Sequence, residues 1–237
     1  MNSFDKEILL FLNGFVGRWP HLDLILVQFQ QNDLLKGAAF IALFWYLWFS
    51  PAADQNAKLQ RQEKLFGAIC AVVVGIVVAR AMADLLPFRP RPFTNPDLHL
   101  SVPGDVPPTL LATWSAFPSD HAVVWFALAV GIYLADKALG VLTFGYACFL
   151  GIGRVYMGAH HPTDILAGGG IGAGLSILFC SSRINPLLYA VVETTQRLRP
   201  GWFYACLFLA TYEIANLFDE VRLLAAMAWR MTKMLTH

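Results

Sequence analysis

"LFGAICAVVVGIVVARAMADLL", Leu65 to Leu86, carries no charged residue before Arg80. As a helix rising about 1.5 Å per residue, this stretch is long enough to cross the roughly 30 Å hydrocarbon core of a bilayer. Similar runs lie on both sides. Upstream, residues 34–50, "LLKGAAFIALFWYLWFS", end at Pro51, with Trp45, Tyr46 and Trp48 suited to a membrane–water interface. A polar linker, "AADQNAKLQRQEK", separates the two. Downstream, a Pro-rich loop over 87–117 leads to apolar segments at about 119–135, 138–157 and 162–181. A polar stretch with Arg183, Arg197 and Arg199 then precedes a sixth segment at 201–218.

The whole chain has the same character. Of its 237 residues, 57% are hydrophobic and 14% charged, against about 25% charged in soluble domains. The expected fold is all-α: a polytopic membrane helix bundle of about six transmembrane helices, one domain over 1–237. Interfacial amphipathic helices are expected at both ends. In segment 1–33, Phe4, Ile8, Leu9, Phe11, Leu12, Phe15 and Val16 recur at helical spacing. The tail 219–237 is amphipathic as well. Asp5, Lys6 and Glu7 precede a short apolar run with no small-residue cleavage site, so no cleavable signal peptide is expected.

Charge distribution orients the bundle. With six spans, loops 51–64, 136–137 and 183–199 share one face and hold Lys58, Arg61, Lys64, Lys137, Arg183, Arg197 and Arg199. The positive-inside rule makes that face cytoplasmic and puts loop 87–117 on the other side of what is expected to be a bacterial inner membrane. A net charge of +1 without a basic face excludes a nucleic-acid partner. Cys70, Cys148, Cys180 and Cys206 lie in apolar segments without CxxC spacing and read as small buried hydrophobes. In "AGGGIGAG", Gly168/Gly172 and Gly170/Gly174 repeat at four-residue spacing, which lets helix backbones approach closely in lipid.

Three polar clusters fall at span boundaries on the non-cytoplasmic face, where charge is costly. "RPRPF", Arg89 to Phe93, is held extended by its prolines and carries two guanidiniums to the interface. "FPSDH", Phe117 to His121, opens the third span. Ser119 suits an N-cap and Asp120 the positive end of the helix dipole. Capping leaves His121 unexplained, and a helix N-terminus is also an anion site. The third cluster, "GRVYMGAHHPTD", runs from Gly153 to Asp164. His160 and Asp164 are four apart, close enough for the carboxylate to accept a bond from the imidazole. His161, ahead of Pro162, reads as a helix-entry residue lining the site.

Gathered at one place, these groups supply guanidiniums that match a tetrahedral oxyanion, a candidate nucleophile and a candidate acid. That inventory suits phosphoryl transfer through a phosphohistidine. HxxxH, HExxH and Cys/His ligand spacings are absent, and clustered arginines repel a cation, so neither metal nor cofactor is expected.

"RPRP", "PSDH" and "GRVYMGAHHPTD", in that order over about residues 84–164, resemble the three motifs of the type-2 phosphatidic-acid phosphatase family of lipid phosphatases and related haloperoxidases. The family pattern is Lys-x6-Arg-Pro, Pro-Ser-Gly-His and Ser-Arg-x5-His-x3-Asp. The resemblance implies that Arg91 and Arg154 hold phosphate oxygens, with Ser119 and the backbone N–H groups after it completing the cradle. It further implies that His160 attacks phosphorus, Asp164 orients it and His121 protonates the leaving oxygen. Three positions depart. Asp84 stands at the family lysine, Gly153 at its serine and Asp120 at its glycine, the last resembling the undecaprenyl-pyrophosphate phosphatase branch. Arg80, one turn before Asp84, or Arg89 could supply the missing charge. An Arg80–Asp84 ion pair at i,i+4 is the structural alternative.

The expected function is release of orthophosphate from a lipid diphosphate such as undecaprenyl diphosphate, with the lipid phosphate and membrane lipids as partners. The enzymatic alternatives are phosphatidylglycerophosphate, phosphatidate and diacylglycerol diphosphate. An alternative of another class is a non-catalytic lipid-phosphate binder or transporter.

Overall fold

The computed structural model describes residues 1–103, 113–181, 184–218 and 227, and among them all regular structure is helical. Two helices precede the first long apolar segment: α1 (Ser3–Asn13) and α2 (Pro20–Gln31). A wide-turn segment, Leu34–Ala38, runs into α3 (Ala39–Phe49). The bundle continues with α4 (Gln55–Leu85), α5 (Asp120–Ala135), α6 (Lys137–Tyr156), α7 (Pro162–Phe179), α8 (Asn185–Leu198) and α9 (Pro200–Ala215). Among the described residues α4, α6 and α7 are long and apolar enough to cross a membrane, and Leu34–Phe49 and Asp120–Ala135 are shorter apolar helices. The chain is an all-helical membrane protein.

Two stretches read as polar linkers are helical. Gln55–Lys64 extends α4 toward its N-terminus, because Asp54 caps it (its carboxylate accepts from Ala57 N at 2.7 Å) and Gln, Lys, Arg, Glu and Leu are strong helix formers. Similarly, 185–198 forms α8. The tail 219–237 lies outside the described residues apart from Met227, as do 104–112 of the loop and Arg183.

The core gathers α3, α4, α5, α6 and α9 around Phe44, Trp48, Val72, Trp125, Leu128 and Leu150. In lipid, packing and dispersion rather than water exclusion drive such association. Glycines decide how close the central helices come. A Cβ on Gly168 would lie 2.3 Å from the Ser119 carbonyl oxygen, and one on Gly172 2.1 Å from that of Val123, so this stripe of α7 lies directly on the α5 backbone. Gly170 and Gly174 face open space, so only one of the two interleaved stripes is a contact. The four cysteines are free and lie half-buried or, at Cys206, exposed. Their apolar segments did not imply burial, because the outer surface of a membrane helix is apolar too.

α1 carries apolar residues on its outer side and a largely polar stripe on its inner one. Its inward residues are Asp5, Leu9 and Asn13, one per turn, while Phe4 and Phe11 are exposed. Asn13 Nδ2 donates to Ser101 O at 2.7 Å and its Oδ1 accepts from Ser101 N at 3.0 Å, tying α1 to the far part of loop 87–103. A helix between lipid and protein turns its apolar side outward and its polar side to partners within. The helical period of the apolar residues was legible; which polar residues meet partners inside was not.

Candidate active site

The C-terminal ends of α4 and α6 and the N-terminal ends of α5 and α7 converge at one end of the bundle, so all three clusters meet. The close α5–α7 contact sets the register: Ser119 N donates to Asp164 O at 3.1 Å. Ser119 is the N-cap of α5, its Oγ accepting from Ala122 N at 3.4 Å. The chain leaves α6 through Gly158, whose φ of +69° is a left-handed conformation suited to glycine. Its carbonyl accepts from Phe93 N at 2.9 Å, which brings the RPRPF segment against the turn carrying His160. Ala116 N donates to Arg89 O at 2.8 Å, closing the loop on its other side.

Arg91 is buried, and its NH1 donates to Ala159 O at 3.0 Å and to His160 Nε2 at 3.1 Å. His160 Nδ1 lies 2.9 Å from Ala116 O. A guanidinium only donates and a carbonyl only accepts, so the neutral ring carries its proton on Nδ1 and presents the Nε2 lone pair. Burial, with Arg91 and Arg154 adding to it, pushes His160 down to about 4 although Asp164 pulls the other way, so the ring is neutral near pH 7. Burial also lowers Arg91 to about 10, which leaves it charged.

On the other side, Arg154 NH2 lies 2.8 Å from both ring nitrogens of His121, whose ring meets Trp125 edge-on at 5.3 Å between centroids. Among the described residues neither Arg91 nor Arg154 forms an ion pair, and the Nε of each is buried without a hydrogen-bond partner. A buried and a half-buried cation lacking carboxylates are costly unless an anion joins them.

Three expected contacts differ. Asp164 Oδ2 stands 3.7 Å from His160 Nδ1, too far for a hydrogen bond, because it accepts instead from His161 N at 2.7 Å and lies 3.1 Å from His161 Nδ1. His161 is the N-cap of α7, and its capping box holds that carboxylate. Arg89 is not left open to a phosphate: NH1 meets Asp164 Oδ1 at 2.5 Å and Thr163 Oγ1 at 2.9 Å, and NH2 meets Asp5 Oδ2 at 2.6 Å. Arg80 pairs with Asp120 on α5, not with Asp84, and lies over the Trp114 ring at 4.9 Å. Asp84 is exposed. Asp120 therefore serves a cation, as like charge forbids direct contact with phosphate. At Gly153, a Cβ would lie 2.2 Å from Gln30 Nε2, which donates to Leu150 O at 2.9 Å, so α2 fills the space of the family serine's side chain.

Sequence reasoning missed Asp5, Thr163 and the carbonyls of Ala116 and Ala159. Asp5 left a faint trace, an acidic residue one turn from Leu9 and two from Asn13, though Lys6 and Glu7 beside it blur the signal. The carbonyls left none, since every residue has one. Histidine, cysteine and carboxylate clusters able to hold a metal are absent among the described residues.

With two arginines each on a histidine and neither in an ion pair, the site has the character of a phosphoryl-transfer centre. The chain belongs to the PAP2 superfamily, whose pattern matches residues 64–185. Membership makes it a lipid phosphatase. It is 23% identical over 192 residues to undecaprenyl-diphosphatase BcrC of Bacillus subtilis, covering 81% of this chain and 90% of that one. It is 33% identical over 163 residues to an undecaprenyl-diphosphatase of Sulfolobus acidocaldarius, covering 65% and 73%. The crystal structure of Aquifex aeolicus LpxE shares the fold, with a TM-score of 0.55 at 24% identity over 73% of this chain and 92% of that one.

Proposed function

We propose that this protein hydrolyses a polyprenyl diphosphate, undecaprenyl diphosphate being the best candidate, to the monophosphate and orthophosphate. The observation that carries the reading is the pair of arginines outside any ion pair, the buried Arg91 on His160 and the half-buried Arg154 on His121, each with a buried Nε lacking a partner. The names of the relatives from Bacillus subtilis and Sulfolobus acidocaldarius support the substrate.

In this reading Arg91 and Arg154, with N–H groups at the start of α5, hold the terminal phosphate. His160 Nε2 attacks phosphorus; the Nε2–P bond forms as the bond to the bridging oxygen breaks, and His121 gives that oxygen a proton. His121 then takes a proton from water, whose oxygen attacks phosphorus and releases the histidine. Positive charge on the His160 ring is stabilised by the Ala116 carbonyl and the Asp164 carboxylate. The domain covers 1–237 with six spans, α3 through α7 and α9, and the site opens on the non-cytoplasmic side. The excess of Lys and Arg on loops 51–64, 136–137 and 183–199 supports that orientation.

The test is phosphate release in detergent from undecaprenyl diphosphate, phosphatidylglycerophosphate, phosphatidate and diacylglycerol diphosphate, with His160→Ala as control. Highest kcat/KM for the polyprenyl diphosphate and loss of turnover in the control are expected. A preference for a glycerolipid overturns the substrate. Binding without turnover overturns catalysis, and normal release by His160→Ala overturns the mechanism.

A further inference from the structure

Arg89 is clasped between two carboxylates far apart in the sequence, Asp5 and Asp164. Its NH1 meets Asp164 Oδ1 at 2.5 Å and its NH2 meets Asp5 Oδ2 at 2.6 Å. Both carboxylates are fully buried. Asp5 also binds the helix that carries Asp164: Oδ1 accepts from Thr163 N at 2.9 Å, and Oδ2 from Thr163 Oγ1 at 2.8 Å. Pro162 contributes no N–H, so Thr163 has the first free backbone donor inside α7, and Asp5 caps it from a distant helix. One carboxylate on α1 thus fixes both the first turn of α7 and the arginine lying on Asp164.

The charge count gives this arrangement a consequence. Arg89 with Asp164 alone would be a neutral pair, its forked guanidinium free to turn both nitrogens onto the one carboxylate. That rotation would draw Asp164 away from His161 and His160. With Asp5 on the second nitrogen, Arg89 meets each carboxylate through a single nitrogen, and the two buried carboxylates with the half-buried Arg89 keep a net negative charge behind the His160 ring. Burial favours a neutral Asp5, but the bonds from Thr163 and Arg89 outweigh it and hold its carboxyl below the ordinary range.

We propose that Asp5 is a positioning residue for the reaction: through Arg89 and the start of α7 it holds Asp164 where the carboxylate stabilises a cationic His160. The idea rests on the phosphatase reading above. α1 is then a wall of the site, with Asn13 as its second anchor and Leu9 packed between.

The experiment measures kcat, KM and melting temperature in detergent for Asp5→Asn, Arg89→Gln, the double variant and Asn13→Ala, with undecaprenyl diphosphate as substrate. Asp5→Asn is expected to lower kcat per folded molecule by about 10- to 100-fold, the range for residues that orient a reacting group, with KM within about twofold. Added to Arg89→Gln it should cost at most about twofold more. Asn13→Ala, which loosens α1 without touching Arg89, should lower the melting temperature and leave kcat per folded molecule within about twofold. An unchanged kcat in Asp5→Asn, an effect on KM alone, fully multiplicative losses in the double variant, or equal losses of kcat in Asn13→Ala each overturn the proposal. If Asp5→Asn yields no folded protein, Asp5→Glu is read instead; its extra methylene displaces Arg89, and a parental kcat then overturns positioning. A parent that turns over while Asp5→Asn matches it defeats this inference alone. A parent that releases no phosphate from any lipid defeats the phosphatase reading, and this inference with it.

Discussion

Arg91 donates to His160 Nε2 across 3.1 Å, the atom that would meet phosphorus. In the proposed reaction an incoming phosphate oxygen would compete for the same guanidinium and so free that lone pair.

The pH profile should carry the mark of that ring. A free histidine titrates near 6.5, but burial puts His160 near 4. Because only the neutral ring attacks, the acid limb of kcat/KM should fall near pH 4, not 6.5. Folding stability should move the same way. The unfolded chain binds the extra proton first, so stability drops as pH falls from about 6.5 to about 4. A pH–rate profile and melting curves test both, and an acid limb near 6.5 refutes the first.

Arg80 and Asp84 separate cleanly. The Arg80 charge is felt at Arg91 and is held by Asp120, whereas Asp84 is exposed. Arg80→Ala should raise KM by about tenfold, as expected for loss of binding shared by ground and transition states. Asp84→Ala should stay within about twofold. Steady-state kinetics on both decide it, and the opposite order would make position 84 the functional one.

Gly168 and Gly170 offer a matched pair. Gly168→Ala drives a methyl to 2.3 Å from the Ser119 carbonyl and should cost about 1–3 kcal/mol with a fall in kcat, because it parts Ser119 from Asp164. Gly170→Ala meets nothing within 4 Å and should be neutral or slightly stabilising. Thermal unfolding in detergent alongside activity distinguishes them.

Chelation should leave turnover intact. In the proposed reaction Arg91 and Arg154 would supply the positive charge that a metal ion could otherwise bring to the phosphate. Dialysis against EDTA with phosphate release as readout checks this, and recovery only on adding Mg²⁺ would contradict it.

Bilayer-length apolar runs and three motifs at fixed spacing were legible from the sequence because length and composition set membrane insertion, and motif residues stand at helix ends wherever the helices go. The helix boundaries of α5, α6 and α7 and the convergence of Arg91, Ser119, His121, Arg154, His160 and Asp164 followed from that. What only the tertiary structure decided was the partner of each charge. Asp164 turned to His161 and Arg89 rather than to His160, Arg80 reached across to α5, and Asp5 came inward from a helix whose period had marked only its apolar residues. The physical reason is common to all three. Local spacing says which groups can meet along one helix, but buried charges pair with whatever oppositely charged group the packing brings nearest, and in a membrane the inside of a helix is as often its polar side.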